Sequence, residues 1–243
     1  MGLLVPSLRA EFVYVANLES NTVSAYSVGA NGALTPVAGS PFAAGSAPLS
    51  VAVDLLVRFV YVANGADNTV SAYSIGTNGV LTPVAGSPFA AGLEPFSVAV
   101  NLLGRFVYVA NTGSNNVSAY SVGANGALTP VARSPFAAGN APESVAVDLL
   151  GRFAYVANEF DNNVSAYSVG ANGALTPVAG SPFAAGSFPV SVAVDLLGRF
   201  VYVANLESNN VSAYSIGANG ALTPVAGSPF AAGGEPISVA VSP

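Results

Sequence analysis

Tyr14, Tyr61, Tyr108, Tyr155 and Tyr202 each follow the last by 47 residues, and the strings around them are nearly copies of one another. The copies begin at Phe12, Phe59, Phe106, Phe153 and Phe200, so five repeats fill residues 12–243 as a single domain behind an N-terminal extension, 1–11. No other feature constrains the fold so strongly. A repeat of this length is one supersecondary unit that cannot bury its own apolar surface, and it must stack on its neighbours to make a core.

Each repeat holds four short β-forming runs. "FVYVAN" at 12–17 and "TVSAYSV" at 22–28 carry Val, Tyr and Phe at strand spacing, with the polar loop "NLESN" between them. "GANG" at 29–32 supplies the Asn-Gly pair of a tight turn and leads into "ALTPVAG" at 33–39. "SPFAAG" trails that run, and "SVAV" at 50–53 precedes the turn "DLLVR" and the next copy. In the order A (SVAV), B (FVYVAN), C (VSAYSV) and D (ALTPVAG), these are the four strands of an antiparallel propeller blade; a β-solenoid is the weaker alternative. Copy 1 has no good strand A before Phe12, while "ISVAVSP" at 237–243 has nothing after it. The predicted fold is therefore an all-β, five-bladed β-propeller of four-stranded blades, with 237–241 closing the ring by joining the N-terminal blade. Closure would leave no free sheet edge.

The pattern P-x-S-V-A-V-D-x-x-G-R-F-V-Y-V-A-N-x-x-x-N-x-V-S-A-Y-S, with G-A-L-T-P-V-A-G-S-P-F after it, resembles the YVTN-type repeat of the seven-bladed lactonase-like propellers. That family includes bacterial 6-phosphogluconolactonases, so the resemblance, which covers about 12–243, implies a propeller and a lactonase-like hydrolase activity. The chain departs from the family in having five repeats and in the apolar turn "DLLGR".

Comparing the five copies locates their differences. Two variable columns follow the Asn of strand B: Leu18-Glu19, Gly65-Ala66, Thr112-Gly113, Glu159-Phe160 and Leu206-Glu207. Two more follow "AAG": Ser46-Ala47, Leu93-Glu94, Asn140-Ala141, Ser187-Phe188 and Gly234-Glu235. The fifth lies just before "SVAV": Leu49, Phe96, Glu143, Val190 and Ile237. In an up-and-down blade the B–C and D–A connections emerge at the same end, so all five columns are expected on one rim at the channel mouth. That rim collects Glu19, Glu94, Glu143, Glu159, Glu207 and Glu235 together with Phe96, Phe160 and Phe188. A few aromatic and polar groups on a concave mouth suit a small molecule, glycan or protein, and drift in weakly constrained loops is the plainer account.

Other chemistries find less support. The chain has no His, Lys or Cys, which leaves acid–base work to carboxylates and removes thiolate metal sites, nucleophiles and disulfides. Arg58, Arg105, Arg152 and Arg199 fall in the A–B turns, away from the variable rim, where pairing with Asp54, Asp148 and Asp195 is expected. Asp54, Asn101, Asp148 and Asp195, with Ser242, end the A strands and form a weak candidate ring for a hard cation; turn capping is the preferred reading. Asn116, Asn163 and Asn210 open Asn-Val-Ser triplets that match a glycosylation pattern by chance, each at the start of a strand C. No cofactor is implied. A net charge of −6 without a basic patch argues against nucleic acid, and no apolar run approaches the roughly 18 residues of a membrane span. Met1–Ala10 lacks the basic start and long apolar core of a secretory signal, so the compartment is left open. The turn pairs Leu55-Leu56, Leu102-Leu103, Leu149-Leu150 and Leu196-Leu197 are apolar where hairpin turns are polar, which points either to burial or to homo-oligomer contacts. The expectation from residues alone is a non-enzymatic repeat scaffold or binding module. A lactonase-like hydrolase, and a structural repeat fragment or engineered propeller without a selected ligand, are the alternatives.

Overall fold

The computed structural model describes residues 11–242, so the expected extension 1–11 lies, apart from Glu11, outside the described residues. Five antiparallel sheets follow one another at the expected period. In blade 2, strand A is Pro48–Val53, B Phe59–Asn64, C Thr69–Ile75 and D Leu81–Pro83, hydrogen-bonded in that order. B and C pair in continuous register from Phe59 opposite Ser74 to Asn64 opposite Thr69. Blades 3, 4 and 5 repeat the arrangement, with A strands Pro95–Val100, Pro142–Val147 and Pro189–Val194. Blade 1 consists of B (Phe12–Asn17), C (Thr22–Val28) and D (Leu34–Pro36). Among the described residues the only helical turn is Thr112–Ser114, and no helix is long and apolar enough to cross a membrane.

The inner strands are apolar throughout because each is covered on both faces. Phe59, Val60, Tyr61, Val62, Ala63 and Asn64 are all buried: one set of side chains meets the preceding blade, the other the following blade. The core is accordingly four inter-blade layers. One joins Phe59, Tyr61 and Val70 of blade 2 to Val107, Val109, Tyr120 and Leu128 of blade 3. Two polar contacts recur in these layers. Tyr14, Tyr61, Tyr108 and Tyr155 donate their hydroxyls to the carbonyls of Gly79, Gly126, Gly173 and Gly220 in the next blade, at 3.0–3.1 Å. In the reverse direction Tyr73, Tyr120, Tyr167 and Tyr214 donate to Ala43, Ala90, Ala137 and Ala184 of the preceding blade. The C–D turn glycine is required by the same packing: at Gly126, with φ +85°, a Cβ would lie 2.4 Å from the Phe59 ring.

Strand D differs from the expected single run. It is split into "LTP" and a two-residue strand such as Phe89–Ala90, both pairing with strand C. The prolines between them have no N–H to continue a ladder, and the Ser87 hydroxyl fills in by accepting the Ala72 N–H at 2.9 Å.

The expected ring closure is not seen. Residues 237–241 form no strand, and among the described residues no strand pairs with the channel side of Phe12–Asn17. The tail does keep one contact that the A strands make. Val239 donates its N–H to the Ser191 hydroxyl at 3.2 Å, as Val98 does to Ser50, Val145 to Ser97 and Val192 to Ser144. The tail thus lies where the next strand A beyond blade 5 belongs, without pairing to Phe12–Asn17. Among the described residues the five blades form an open series.

Candidate functional site

The B–C and D–A connections do share one end of the molecule, and hydrogen bonds tie them together. Each B–C loop ends in an Asn at positive φ, and its Oδ1 accepts an N–H 26 residues on: Asn68 from Glu94 at 2.8 Å, Asn115 from Ala141 at 3.0 Å, Asn162 from Phe188 at 2.9 Å. The next blade's loop closes the link, with Thr112 N–H donating to Glu94 O, Glu159 to Ala141 and Leu206 to Phe188, at 2.8–2.9 Å. Four of the five variable columns are therefore neighbours through their backbones.

The fifth column sits on a β-bulge. The A–B register slips between Pro95 and Ser97, between Pro142 and Ser144, and between Pro189 and Ser191. Phe96, Glu143 and Val190 are the extra residues, at the end of the sheet that carries the B–C and D–A connections. A bulge redirects one side chain without disturbing the strand after it. Phe96 remains exposed there, whereas Glu143 is only 9% exposed.

Glu143 stands apart among the six rim glutamates. Burial is the main cause that pushes its carboxyl up to about 7, the charges of Glu159 and Glu94 add to the effect, and the nearby Thr112 side chain opposes it. The Glu159 carboxyl is also raised, first by burial and then by Glu207. Glu94, Glu143, Glu159 and Glu207 thus form one electrostatic group spanning blades 3 to 5. Phe160 and Phe188 meet edge to face beside it, with ring centroids 5.7 Å apart. Glu19 and Glu235 lie at the two ends of the series, exposed and away from the group. Thr112 was missing from the expected site. It shares a variable column with Glu159 and Leu206, and its hydroxyl donates to Pro142 O at 2.8 Å, next to Glu143.

The opposite end holds the A–B turns, and the candidate cation ring is used up there. Asp54 Oδ1 accepts the N–H groups of Arg58 at 2.6 Å and Phe59 at 2.8 Å, while its Oδ2 takes Arg58 Nε at 2.8 Å. Asn101 caps Arg105 and Phe106 in the same way. Asp148 and Asp195 pair with Arg152 and Arg199, each at 3.1 Å. Among the described residues no group of three or more His, Cys, Asp or Glu is arranged for a metal. The arginines, expected to pair within their turns, also lie over Phe59, Phe106, Phe153 and Phe200. Asn116, Asn163 and Asn210 accept hydrogen bonds from Asn111, Asn158 and Asn205. Of the turn leucines, Leu55, Leu56, Leu103, Leu150, Leu196 and Leu197 are exposed, and Leu102 and Leu149 are half-buried.

Residues 8–183 and 134–241 match the family described as lactonase, 7-bladed beta-propeller. The fold is shared with a candidate 6-phosphogluconolactonase from Bacteroides fragilis, at a TM-score of 0.81 and 18% identity over 95% of this chain and 69% of the other. It is shared with a protein from Lactobacillus plantarum at a TM-score of 0.79 and 21% identity, over 93% of this chain and 70% of that one. The periplasmic gluconolactonase of Pseudomonas aeruginosa is similar at a TM-score of 0.75 and 20% identity, over 93% and 68% of the two chains. No curated protein sequence matches significantly.

Proposed function

The chain belongs to the lactonase family of β-propellers, and from that premise we propose that it hydrolyses lactones with the Glu143 carboxyl as its proton-transfer group. The family match overturns the expectation of a non-enzymatic scaffold. That expectation rested on the lack of His, Lys and Cys and on arginines placed far from the rim, and it overlooked what burial does to a carboxylate. A Glu held near 7 is half ionised at neutral pH, where a general base works best.

The reading is carried by Glu143 on its bulge beside the B–C and D–A loops, desolvated and crowded by Glu159 and Glu94. Its ionised carboxylate takes a proton from water as the water oxygen attacks the lactone carbonyl. A tetrahedral intermediate forms, the ring C–O bond breaks, and the proton held on Glu143 passes to the departing ring oxygen. The product is an open-chain hydroxy acid, and the carboxylate is restored. Thr112 positions Glu143, and Phe96, Phe160 and Phe188 offer apolar surface for the carbon face of a sugar ring.

Charge selects among lactones. The rim carries carboxylates and no arginine of the A–B turns, so a phosphate dianion meets repulsion there with no cation to offset it. An uncharged aldonolactone fits better than its 6-phosphate. The experiment is a direct comparison of the two lactones with background-corrected rates. The reading expects turnover of D-glucono-1,5-lactone above the spontaneous rate and at least tenfold lower kcat/KM for the 6-phosphate. Equal or better use of the phosphorylated lactone would remove the charge-based part of the assignment.

A further inference from the structure

Leu49, Phe96, Glu143 and Val190 are the bulged residues of four successive A strands. The residue after each bulge ties one strand A to the next. Ser50 Oγ accepts the Val98 N–H at 3.1 Å, Ser97 Oγ that of Val145 at 3.2 Å and Ser144 Oγ that of Val192 at 3.1 Å. Phe96 and Val190 therefore flank Glu143, one from the blade before it and one from the blade after. The B–C loops decide how free each side chain stands. Leu49 lies over Gly65, where a Cβ would come within 2.7 Å of it. Blade 3 has Thr112 at that position, whose own Cβ takes the space, and at Gly113 the nearest side chains are Glu94 and Leu93. Phe96 stays 38% exposed with no ring partner among the described residues, whereas Phe160 and Phe188 pair edge to face at 5.7 Å. Val190, on the other flank, is small and half-buried.

We infer that Phe96 is the specificity-determining residue of this site, the platform on which the carbon face of the lactone ring lies while Glu143 works at its carbonyl edge; the inference rests on the hydrolase reading above. The face of a phenyl ring is electron-rich, and the C–H bonds on the face of a pyranose ring complement it as both leave water. Ionised carboxylates only accept hydrogen bonds, so the lactone's hydroxyls are donors suited to Glu94 and Glu159. The platform selects by stereochemistry. In D-glucono-1,5-lactone the ring hydroxyls are equatorial and each face presents C–H bonds. An inverted hydroxyl stands up from one face and holds the lactone off the phenyl ring. Turning the lactone over would exchange its ring oxygen with C2, and Glu143 must reach that oxygen to return the proton.

Kinetics on three lactones test it. D-Galactono- and D-allono-1,5-lactone each invert one hydroxyl of the glucono compound, on opposite faces of the ring. The inference expects the parent chain to use one of the two about tenfold less well than the glucono lactone, and Phe96→Ala to lose that discrimination with a KM for the glucono lactone about tenfold higher and a much smaller change in kcat. Phe96→Tyr keeps the aromatic face and should keep the parent pattern. A Phe96→Ala chain with the parent KM and the parent discrimination overturns the inference and leaves the hydrolase reading standing. Binding answers separately. The chain has no tryptophan, so Phe96→Trp and Phe160→Trp each introduce a single indole. Titration with D-gluconolactam, which water does not open, should shift the emission of the Phe96→Trp chain saturably and more strongly than that of the Phe160→Trp chain. A silent Phe96→Trp chain contradicts the platform, whether or not the parent turns over lactones.

Discussion

Tyr61 donates its hydroxyl to the Gly126 carbonyl at 3.1 Å, joining two blades across 65 residues of chain. In the same column Tyr202 is half-buried, and among the described residues no carbonyl accepts its hydroxyl. The two positions therefore separate an inter-blade hydrogen bond from the burial of a ring. Tyr61→Phe leaves a buried carbonyl without its donor and is expected to cost about 1–3 kcal/mol. Tyr202→Phe should cost about 0.5 kcal/mol or less in the single chain. Urea midpoints of the two variants, measured at low protein concentration, provide the comparison.

Val57 has φ +52° at the turn position where blades 3, 4 and 5 have Gly104, Gly151 and Gly198, at φ +60° to +66°. A β-branched side chain is strained in that region, and glycine is not. Val57→Gly is expected to stabilise the protein by about 1 kcal/mol, seen as a raised Tm. Arg133, at φ +74° where the other repeats have glycine, should respond in the same direction.

Burial of Glu143 links stability to pH. Its native carboxyl titrates near 7 against an ordinary value of 4.5. Below pH 4.5 both folded and unfolded chains hold the proton, and Glu143 contributes nothing. As pH rises from 4.5 to 7 the unfolded chain releases it first, so the folded state loses stability across that window and stays penalised above it. The penalty reaches roughly 3 kcal/mol at most, since each tenfold difference in proton affinity between the folded and unfolded chains is worth about 1.4 kcal/mol. Glu143→Gln should therefore match the parent protein at pH 4 and exceed it in Tm at pH 8. Parallel melting profiles for the two proteins would show that Glu143 is not desolvated.

The turn leucines resolve on the side of exposure. Leu55, Leu150 and Leu197 are each 65–66% exposed, so their serine variants should shift stability by no more than about 0.5 kcal/mol each. Thermal melts decide it, and a loss of several kcal/mol would place these side chains in the core.

What could be read from the sequence, and what could not, follows from where the information lies. The Tyr61 column and its 47-residue step are local and repeated, so blade, strand order and the shared rim of Glu94, Glu143 and Glu159 are legible without coordinates. Ring closure is a global property. The tail "ISVAV" reads as a strand A, and only the coordinates show that it meets Ser191 without pairing to Phe12–Asn17. The bulge that singles out Glu143 is equally silent, because Leu49, Phe96 and Val190 share its position and only packing separates them. Thr112 escaped notice for the same reason: its value lies in the neighbour it touches across a blade boundary.

The most direct measurement is kcat/KM for D-glucono-1,5-lactone with the parent chain and with Glu143→Gln, each corrected for spontaneous hydrolysis and followed from pH 5 to 8. The account expects the parent rate constant to rise through an apparent pKa near 7, the value set by burial beside Glu159. The Gln variant should keep its strand circular dichroism and lose about 100-fold or more, the usual contribution of a positioned general base. A Glu143→Gln protein that turns over the lactone at the parent rate, with the same pH profile, would contradict the assignment of Glu143 to the chemistry.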